Sequence, residues 1–414
     1  MRSRVVAALV TLLLLTGCTA PGSGIQASQP SPTSALPGDG VLRVGTLFPV
    51  TGAAAYIGPA QAAGAALAVA DINAAGGVEG EPVELIARES GEASGDTLEA
   101  SFAELAAGGA DVVIGPSSSL LAARVIPLAV AAEIPVISPA ATFPGLTTAS
   151  DDGYFFRTIP AYGHQGLALG QVLSESGPTT VAFVYIDDTF GQALAPTLAT
   201  GLEQHGSSLV LSQAIPPGTT DLSLAIQNLK DAAPDVVVVG STYASVEATK
   251  ALIAAVIGAG FGGAKLWLTT QNTGDYSQSF PNGTLKDVNG IIEGYEPDDA
   301  FIARLKTVDS SLTTFRYGAE AYDAVVLAAL AAVQGGDAGS MIAADLVDVS
   351  VGGLKCGSFS ECLGPLQSGE DIDYDGVSGP LNFTPAGDVS PAYYGLYTYD
   401  GENRFVFGRG VLAG

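Results

Sequence analysis

The sequence predicts an α/β protein of two doubly wound lobes, and three observations carry that expectation. From Val41 onward, short β-branched runs alternate with longer Ala-rich segments. The runs are apolar throughout, which marks strands covered on both faces, as in parallel sheets flanked by helices. The chain after Val41 is too long for one sheet-centred core, so it divides in two.

Strands are expected over Val41–Phe48, Val83–Ala87, Val112–Gly115, Pro135–Ser138, Val181–Ile186, Val236–Gly240 and Leu266–Thr269. Between them, Pro59–Ala75, Leu98–Ala107, Leu120–Glu133, His164–Ser176 and Tyr243–Ile257 have helical length. Gly and Pro punctuate the joins, as at Gly115-Pro116 and Ala233-Pro234. Open parallel sheets bind ligands beyond the carboxyl ends of their strands, against helix N-termini. Two such sheets facing one another across a cleft would make a clamp.

The N-terminus reads as an export signal. Arg2 and Arg4 precede an uncharged apolar run, Val5 to Leu15, then Thr16-Gly17-Cys18. A permanent membrane helix needs about 20 apolar residues, so this run suits a signal-peptide core instead. Leu15-Thr16-Gly17-Cys18 resembles a lipobox, which implies cleavage after residue 17 and lipidation of Cys18. Thr19 to Gly40 is rich in Pro, Ser, Gly, Ala and Gln and carries one charge, Asp39. Such a segment cannot bury enough surface to offset ordering, so residues 18–40 are expected to be a disordered tether. A flexible chain of that length spans about 25 Å. The expected location is extracytoplasmic, held to the membrane by the N-terminal lipid alone.

Removing residues 1–17 takes away Arg2 and Arg4, leaving 14 basic against 42 acidic residues and a formal charge of −28. Nucleic acid and anionic lipid both attract basic patches, so neither is an expected partner. The acidity suits solubility outside the cell. The Ala-rich stretch Ala324 to Val333 is short and reads as a core helix. With Cys18 lipidated, Cys356 and Cys362 remain, close together in a loop-like stretch of an exported chain. An oxidising compartment favours their disulfide. A zinc site would need more ligands, and neither His164 nor His205 lies near them in sequence.

Several short motifs follow one another along the chain. The first runs from Gly52 through Gly58-Pro59 and Gly64 to Ala70-Asp71-Ile72-Asn73-Ala74-Ala75-Gly76-Gly77-Val78 and Gly80. Ile114-Gly115-Pro116-Ser117-Ser118-Ser119 and Ile134-Pro135-Val136-Ile137-Ser138-Pro139-Ala140-Ala141-Thr142, ending at Leu146-Thr147, follow. Then come Asp187-Asp188-Thr189-Phe190-Gly191, Ala321-Tyr322-Asp323-Ala324, and Gly379-Pro380-Leu381-Asn382-Phe383 with Gly387-Asp388. Each segment is weak alone; the ordered set covers nearly all the chain after the tether and resembles the type I periplasmic-binding-protein family, within it the branched-chain amino-acid-binding branch. The resemblance implies discontinuous lobes, residues 41–159 with 295–377 and residues 160–294 with 378–414, joined by a three-strand hinge. It also implies a non-enzymatic substrate-binding lipoprotein of an ABC importer, working with permease subunits and needing no cofactor.

In that family a serine and backbone groups of an Ala-x-Thr segment hold the ligand carboxylate. Those roles fall on Ser119, Ala140 and Thr142. Ser119 lies just before the helical run from Leu120, where free N–H groups and the positive helix end stabilise an anion. The plainer alternative is that Ser117–Ser119 cap a helix and Thr142 closes a turn. The opposite lobe's walls fall on Phe190 and on Tyr243 or its neighbour Thr242. Tyr56, or Ile57 next to it, matches a contact position in the first glycine loop.

Relatives that bind amino acids place an acid in the second lobe for the α-ammonium group; here that place holds Gln271, or Asn272 if the register slips by one. Either another acid substitutes, with Asp187, Asp188, Asp275 and Glu296 as candidates, or the ligand has no ammonium group. A branched-chain amino acid or a related carboxylate is the expected solute. Asp371-Ile372-Asp373-Tyr374-Asp375-Gly376 begins like a calcium loop, but the twelfth position is Asn382 and not the bidentate Glu such a site needs. A polar hinge turn is therefore expected, without metal. A sensory receptor could use the same clamp. An extracellular hydrolase is disfavoured, because the chain has no Gly-x-Ser-x-Gly elbow and no metal-spaced histidine pair.

Overall fold

The computed structural model describes residues 38–52, 54–177 and 179–413. The expected signal peptide, the Cys18 lipidation and nearly all of the expected tether lie outside them.

The first sheet forms from the apolar runs of the N-terminal third. Its strands are β1 (Arg43–Phe48), β2 (Glu84–Glu89), β3 (Val112–Ile114), β4 (Val136–Ser138) and β5 (Phe155–Arg157). They pair in parallel in the order β2-β1-β3-β4-β5. Helices α1 (Gly58–Ala74), α2 (Thr97–Ala107) and α3 (Ser119–Ala132) connect them. Leu98, Phe102 and Leu105 of α2 and Leu121, Val125 and Ile126 of α3 bury against one face of the sheet, with Val113 and Val136.

The second sheet begins after the chain leaves β5. In order come α4 (Tyr162–Ser174), β6 (Thr180–Ile186), α5 (Thr189–Gln204), β7 (Ser208–Ile215), α6 (Ser223–Ala232), β8 (Val236–Gly240), α7 (Val246–Gly258), β9 (Leu266–Leu268) and β10 (Asn289–Glu293). Helices α4 and α5 cover one face; α6 and α7 cover the other. The chain then returns to the first lobe with α8 (Asp299–Val308), α9 (Gly318–Gly335), α10 (Gly339–Asp345), β11 (Leu354–Cys356), α11 (Phe359–Gln367), β12 (Ile372–Gly376) and β13 (Gly379–Pro380). It ends in the second sheet as β14 (Ala392–Tyr399) and β15 (Phe405–Ala413). That sheet has seven strands in the order β15-β14-β10-β9-β8-β6-β7. Its last two strands run antiparallel, a departure from an all-parallel sheet.

Helix α9 covers the other face of the first sheet and contains the expected Ala-rich core segment; its residues from Gly318 to Ala332 are all buried. It packs closely on α1 through Gly64, where a Cβ would meet the Gly318 carbonyl oxygen at 2.0 Å. Among the described residues no single helix is long and apolar enough to cross a membrane.

The three crossings between lobes meet at the first turns of α9. Thr158, after β5, donates its hydroxyl to the Glu320 carbonyl at 2.9 Å. Tyr295, after β10, donates its N–H to Glu320 Oε1 at 3.0 Å. Asp323 accepts from Val377 N at 3.0 Å and Ser378 N at 2.7 Å at the third crossing, and from the Tyr374 hydroxyl at 2.7 Å. Gly294 has φ +90°, and a Cβ there would lie 2.5 Å from Glu320 Oε1, so the second crossing requires glycine.

Cys356 and Cys362 form a disulfide. They lie on β11 and inside α11, so the stretch between them is not the simple loop expected. The acidic segment at 371–376 is also corrected: Ile372–Gly376 is a strand. Lys355 Nζ bridges Asp373 Oδ2 at 2.9 Å and Asp375 Oδ1 at 3.0 Å, supplying the positive charge these carboxylates face.

Candidate functional site

Beyond the carboxyl ends of β3 and β4, the N-terminus of α3 meets the loop that follows Ser138. Ser119 is the first helical residue, and its Oγ accepts the N–H groups of Thr142 and Phe143, each at 3.1 Å. Both bonds use its lone pairs, so the hydroxyl proton remains for an acceptor outside this pair. The first N–H groups of α3 add donors and positive potential at the same place. Simple capping does not account for these serines. Ser118 at the N-cap makes no side-chain cap bond, and Ser117 donates to Gln61 Oε1 at 2.6 Å. Ala140 and Thr142 are buried; the role expected of them rests on backbone groups, which burial does not remove.

That loop is held from beneath by a group the sequence reading missed. Arg157, on β5, is fully buried and pairs with Asp388 through Nε and Oδ1 at 2.5 Å. Its Nη1 donates to the carbonyls of Ala141 at 3.2 Å and Phe143 at 3.0 Å. Its Nη2 donates to Thr147 Oγ1 at 2.7 Å, and Thr147 donates to Asp388 Oδ2 at 2.7 Å. With both carbonyls drawn toward the guanidinium, the loop's N–H groups are left to face Ser119. The sequence signal was Asp388 in its Gly-Asp motif, but its partner lies 231 residues away.

The opposite wall comes from the second sheet. Gln271 is committed on both sides of its amide: Oε1 accepts the Tyr243 N–H at 2.7 Å, and Nε2 donates to the Tyr162 hydroxyl. Asn272, the one-residue alternative, is buried and built into the fold. Its Oδ1 accepts from Ser241 N at 2.7 Å and Thr269 Oγ1 at 2.8 Å. Tyr243 is 73% exposed, whereas Thr242 spends its N–H and hydroxyl on Asp188. Likewise Tyr56 is 61% exposed and Ile57 is buried. Tyr56 and Tyr243 thus present aromatic surface from the two lobes.

Phe190 is the correction. Asp188 caps α5 by accepting the N–H groups of Phe190 at 3.1 Å and Gly191 at 3.0 Å, and the ring is completely buried in the core. It packs edge-on beneath Tyr162, with centroids 4.8 Å apart. Tyr162 is the half-buried aromatic at this place, and the sequence reading did not single it out.

A cavity of about 220 Å³ lies where β10 reaches the hinge. Its walls include Glu293, Tyr295, Arg316 and Tyr317, with Tyr397 from β14. Glu293 is buried, and its Oε2 has no hydrogen-bond partner. Burial pushes its carboxyl up, opposed by the Thr270 hydroxyl and by Arg316. Arg316 lies over the Tyr317 ring at 5.2 Å and donates to its hydroxyl at 3.2 Å. Tyr317 holds φ +62° at the N-cap of α9, an unusual backbone state for a bulky residue of the kind that clusters at functional sites.

The four candidate ammonium acceptors all have other partners. Asp188 is consumed by the α5 cap and Thr242. Asp187 is exposed and accepts from Gln192 at 3.0 Å; Asp275 is exposed and accepts from Ser277 N at 2.8 Å. Glu296 accepts the Tyr397 hydroxyl at 2.7 Å. Among the described residues no group of three or more His, Cys, Asp and Glu is arranged to hold a metal ion. Burial pushes the His164 imidazole down, and His205 is exposed at the end of α5.

Two sheets with strand ends and helix N-termini turned toward a shared hinge define the class of two-lobed binding proteins. The family model described as periplasmic binding protein matches residues 41–388, and the chain belongs to that family. Among curated relatives, it is 26% identical over 360 residues to the chemotactic signal transduction system substrate-binding protein BasB of Halobacterium salinarum, covering 83% of this chain and 84% of that one. It is 25% identical over 311 residues to Glutamate receptor 2.2 of Arabidopsis thaliana, covering 70% of this chain but spanning only 32% of the receptor. Among solved structures, a branched-chain amino acid transporter substrate binding protein from Streptococcus pneumoniae, in complex with isoleucine, superposes with TM-score 0.61 at 22% identity, covering 89% of this chain and all of that one. An ABC transporter solute binding protein from R. palustris, in complex with 4-hydroxybenzoate, gives TM-score 0.64 at 18% identity, covering 90% and 97%. At these identities the structures establish the type I fold and its two lobes.

Proposed function

We propose that this protein is the extracytoplasmic solute-binding lipoprotein of an ABC importer, and that it clamps a small carboxylate-bearing solute between its lobes. A branched-chain amino acid or a related carboxylate is the solute class. The carrying observation is Ser119, whose hydroxyl proton is free at the N-terminus of α3, beside a loop fixed by the buried Arg157–Asp388 pair. Isoleucine and 4-hydroxybenzoate, named with the two structural neighbours, share only the carboxylate end, which supports recognition of that end by this half of the site. The lobes are taken as residues 41–159 with 295–377 and 160–294 with 378–414, closing about the three crossings.

A sensory role uses the same clamp, and the likeness to a substrate-binding protein of a chemotactic system favours it as the second reading. Co-encoded permease and ATPase subunits would favour import; a co-encoded chemoreceptor would favour sensing.

Thermal-shift titration with branched-chain amino acids, 4-hydroxybenzoate and 2-keto acids tests the solute class. A ligand that binds only the folded state at a hundred times its Kd stabilises by about 2.7 kcal/mol. Ser119→Ala should reduce that shift, and an unchanged shift would refute the carboxylate role. Cys18→Ser should abolish membrane attachment; retained attachment would refute lipidation.

A further inference from the structure

We propose that Glu293 receives the ammonium group of the solute, replacing the acid absent at Gln271, and that the solute is therefore a zwitterionic amino acid. The inference rests on the carboxylate-binding reading of Ser119 and its loop.

Gln271 cannot play this part, because its carbonyl oxygen already accepts the Tyr243 N–H and its amide nitrogen donates to the Tyr162 hydroxyl. Asn272 is closed to a ligand in the same way. Glu293 is 7% exposed, it lines the hinge cavity, and one carboxylate oxygen has no partner. Glu320 shares the burial, the cavity and an unpartnered oxygen with Glu293, but its other oxygen is held by the Tyr295 N–H at the second crossing, which leaves Glu293 as the acid free to meet a solute. A buried unpaired carboxylate is costly unless something supplies a donor. Among the described residues no cation lies within ion-pair distance of it, Arg316 included.

Topology puts Glu293 at the end of the strand next to the one that leads to the vacated place. Strands β9 and β10 are parallel neighbours, pairing Trp267 with Asn289 and Leu268 with Gly290. Their carboxyl ends therefore emerge side by side. Glu293 N donates to Thr270 Oγ1 at 3.2 Å, and Thr270 is the residue before Gln271. An acid lost from the loop after β9 is thus supplied from the end of the next strand. Tyr162 joins the two halves: its N–H donates to the Thr142 carbonyl at 2.9 Å, its hydroxyl meets Gln271, and the Glu293 charge acts on it.

Calorimetry on the full chain, with L-leucine, L-isoleucine and L-valine beside 4-methyl-2-oxopentanoate and 4-hydroxybenzoate, tests the assignment. The wild type should bind an amino acid more tightly than the ammonium-free carboxylates. Glu293→Gln should weaken that amino acid about tenfold or more, the usual loss for a charge-assisted hydrogen bond. Adding Gln271→Glu to that variant should recover affinity, which separates lost recognition from damaged folding. Amino-acid binding unchanged in Glu293→Gln but lost in Ser119→Ala would overturn the Glu293 assignment and leave the carboxylate reading standing. Ammonium-free carboxylates bound as tightly as amino acids would also overturn it. No binding of any of the five probes, or no effect of either single variant, would overturn both.

Discussion

Asp388→Asn is the perturbation that most directly tests how the loop proposed to hold the solute carboxylate is built. Arg157 is fully buried, so its charge is compensated only by what the fold supplies. The substitution removes the countercharge 2.5 Å from Nε but leaves the carbonyls of Ala141 and Phe143 and the Thr147 hydroxyl. Breaking one side of a buried ion pair costs about 3–5 kcal/mol, because the other charge stays buried. With an unfolding entropy of about 2.1 cal/mol/K per residue, a body of roughly 375 residues loses about 4–6 °C in Tm if both lobes melt together. Melting of the first lobe alone would roughly double the shift. Differential scanning calorimetry reads this directly, and a Tm within 1 °C of wild type would refute the argument. A second variant separates charge from position. Arg157→Met with Asp388→Leu removes both charges, and such replacements are often neutral or stabilising. Stability should return in the double variant, while solute affinity stays low because the Ala141 and Phe143 carbonyls have lost their donor.

Two further outcomes follow from buried groups. Burial pushes the Glu320 carboxyl up to about 7 and that of Asp323 to about 6, with each acid's hinge hydrogen bonds and, for Glu320, Arg316 opposing. An acid whose folded pKa is raised binds its proton more tightly when folded, so its stabilising contribution is lost as pH rises from about 4.5 to 7. For Glu320 that loss approaches about 3 kcal/mol, and Glu320→Gln should flatten the slope in denaturant titrations between pH 5 and 8; an unchanged slope would contradict the assignment. Cys356→Ser should cost about 2 kcal/mol, since the disulfide closes a short loop, and equal denaturation midpoints with and without reductant would contradict that.

Much of the fold was legible because buried parallel strands leave continuous apolar runs. Val112–Ile114, Val181–Ile186, Val236–Gly240 and Leu266–Leu268 stand where such runs predict them. Less legible were β14 and β15, an antiparallel hairpin in a sheet otherwise parallel. The site divides in the same way. Ser119 and the Ala140–Thr142 loop are local in sequence and sit beside one another. Phe190 misled because the Asp-Asp-Thr-Phe-Gly motif fixes a position but not a direction. The Asp188 cap closes the turn, and the ring goes inward. Glu293 was overlooked because it ends the apolar run Gly290-Ile291-Ile292. A lone acid closing such a strand was the only available signal. Arg157 and Asp388 are joined only by the tertiary fold.

Helix α9 links the cleft to the hinge by a short mechanical path. Its N-cap, Tyr317, and the preceding Arg316 line the cavity, while Glu320 and Asp323, within the next two turns, hold all three crossings. A buried helix is stiff on this length scale, because its whole surface is packed. In the proposed clamp, force applied by a solute at Tyr317 would reach the crossings without passing through a loop. Closure about such a pivot changes backbone angles at a few residues, and Gly294, at φ +90°, is the residue best able to absorb them. The left-handed conformation of Tyr317 has its place in this arrangement. It turns the chain from the cavity wall into α9 in a single residue, which keeps the contact surface and the hinge clasp on one rigid body.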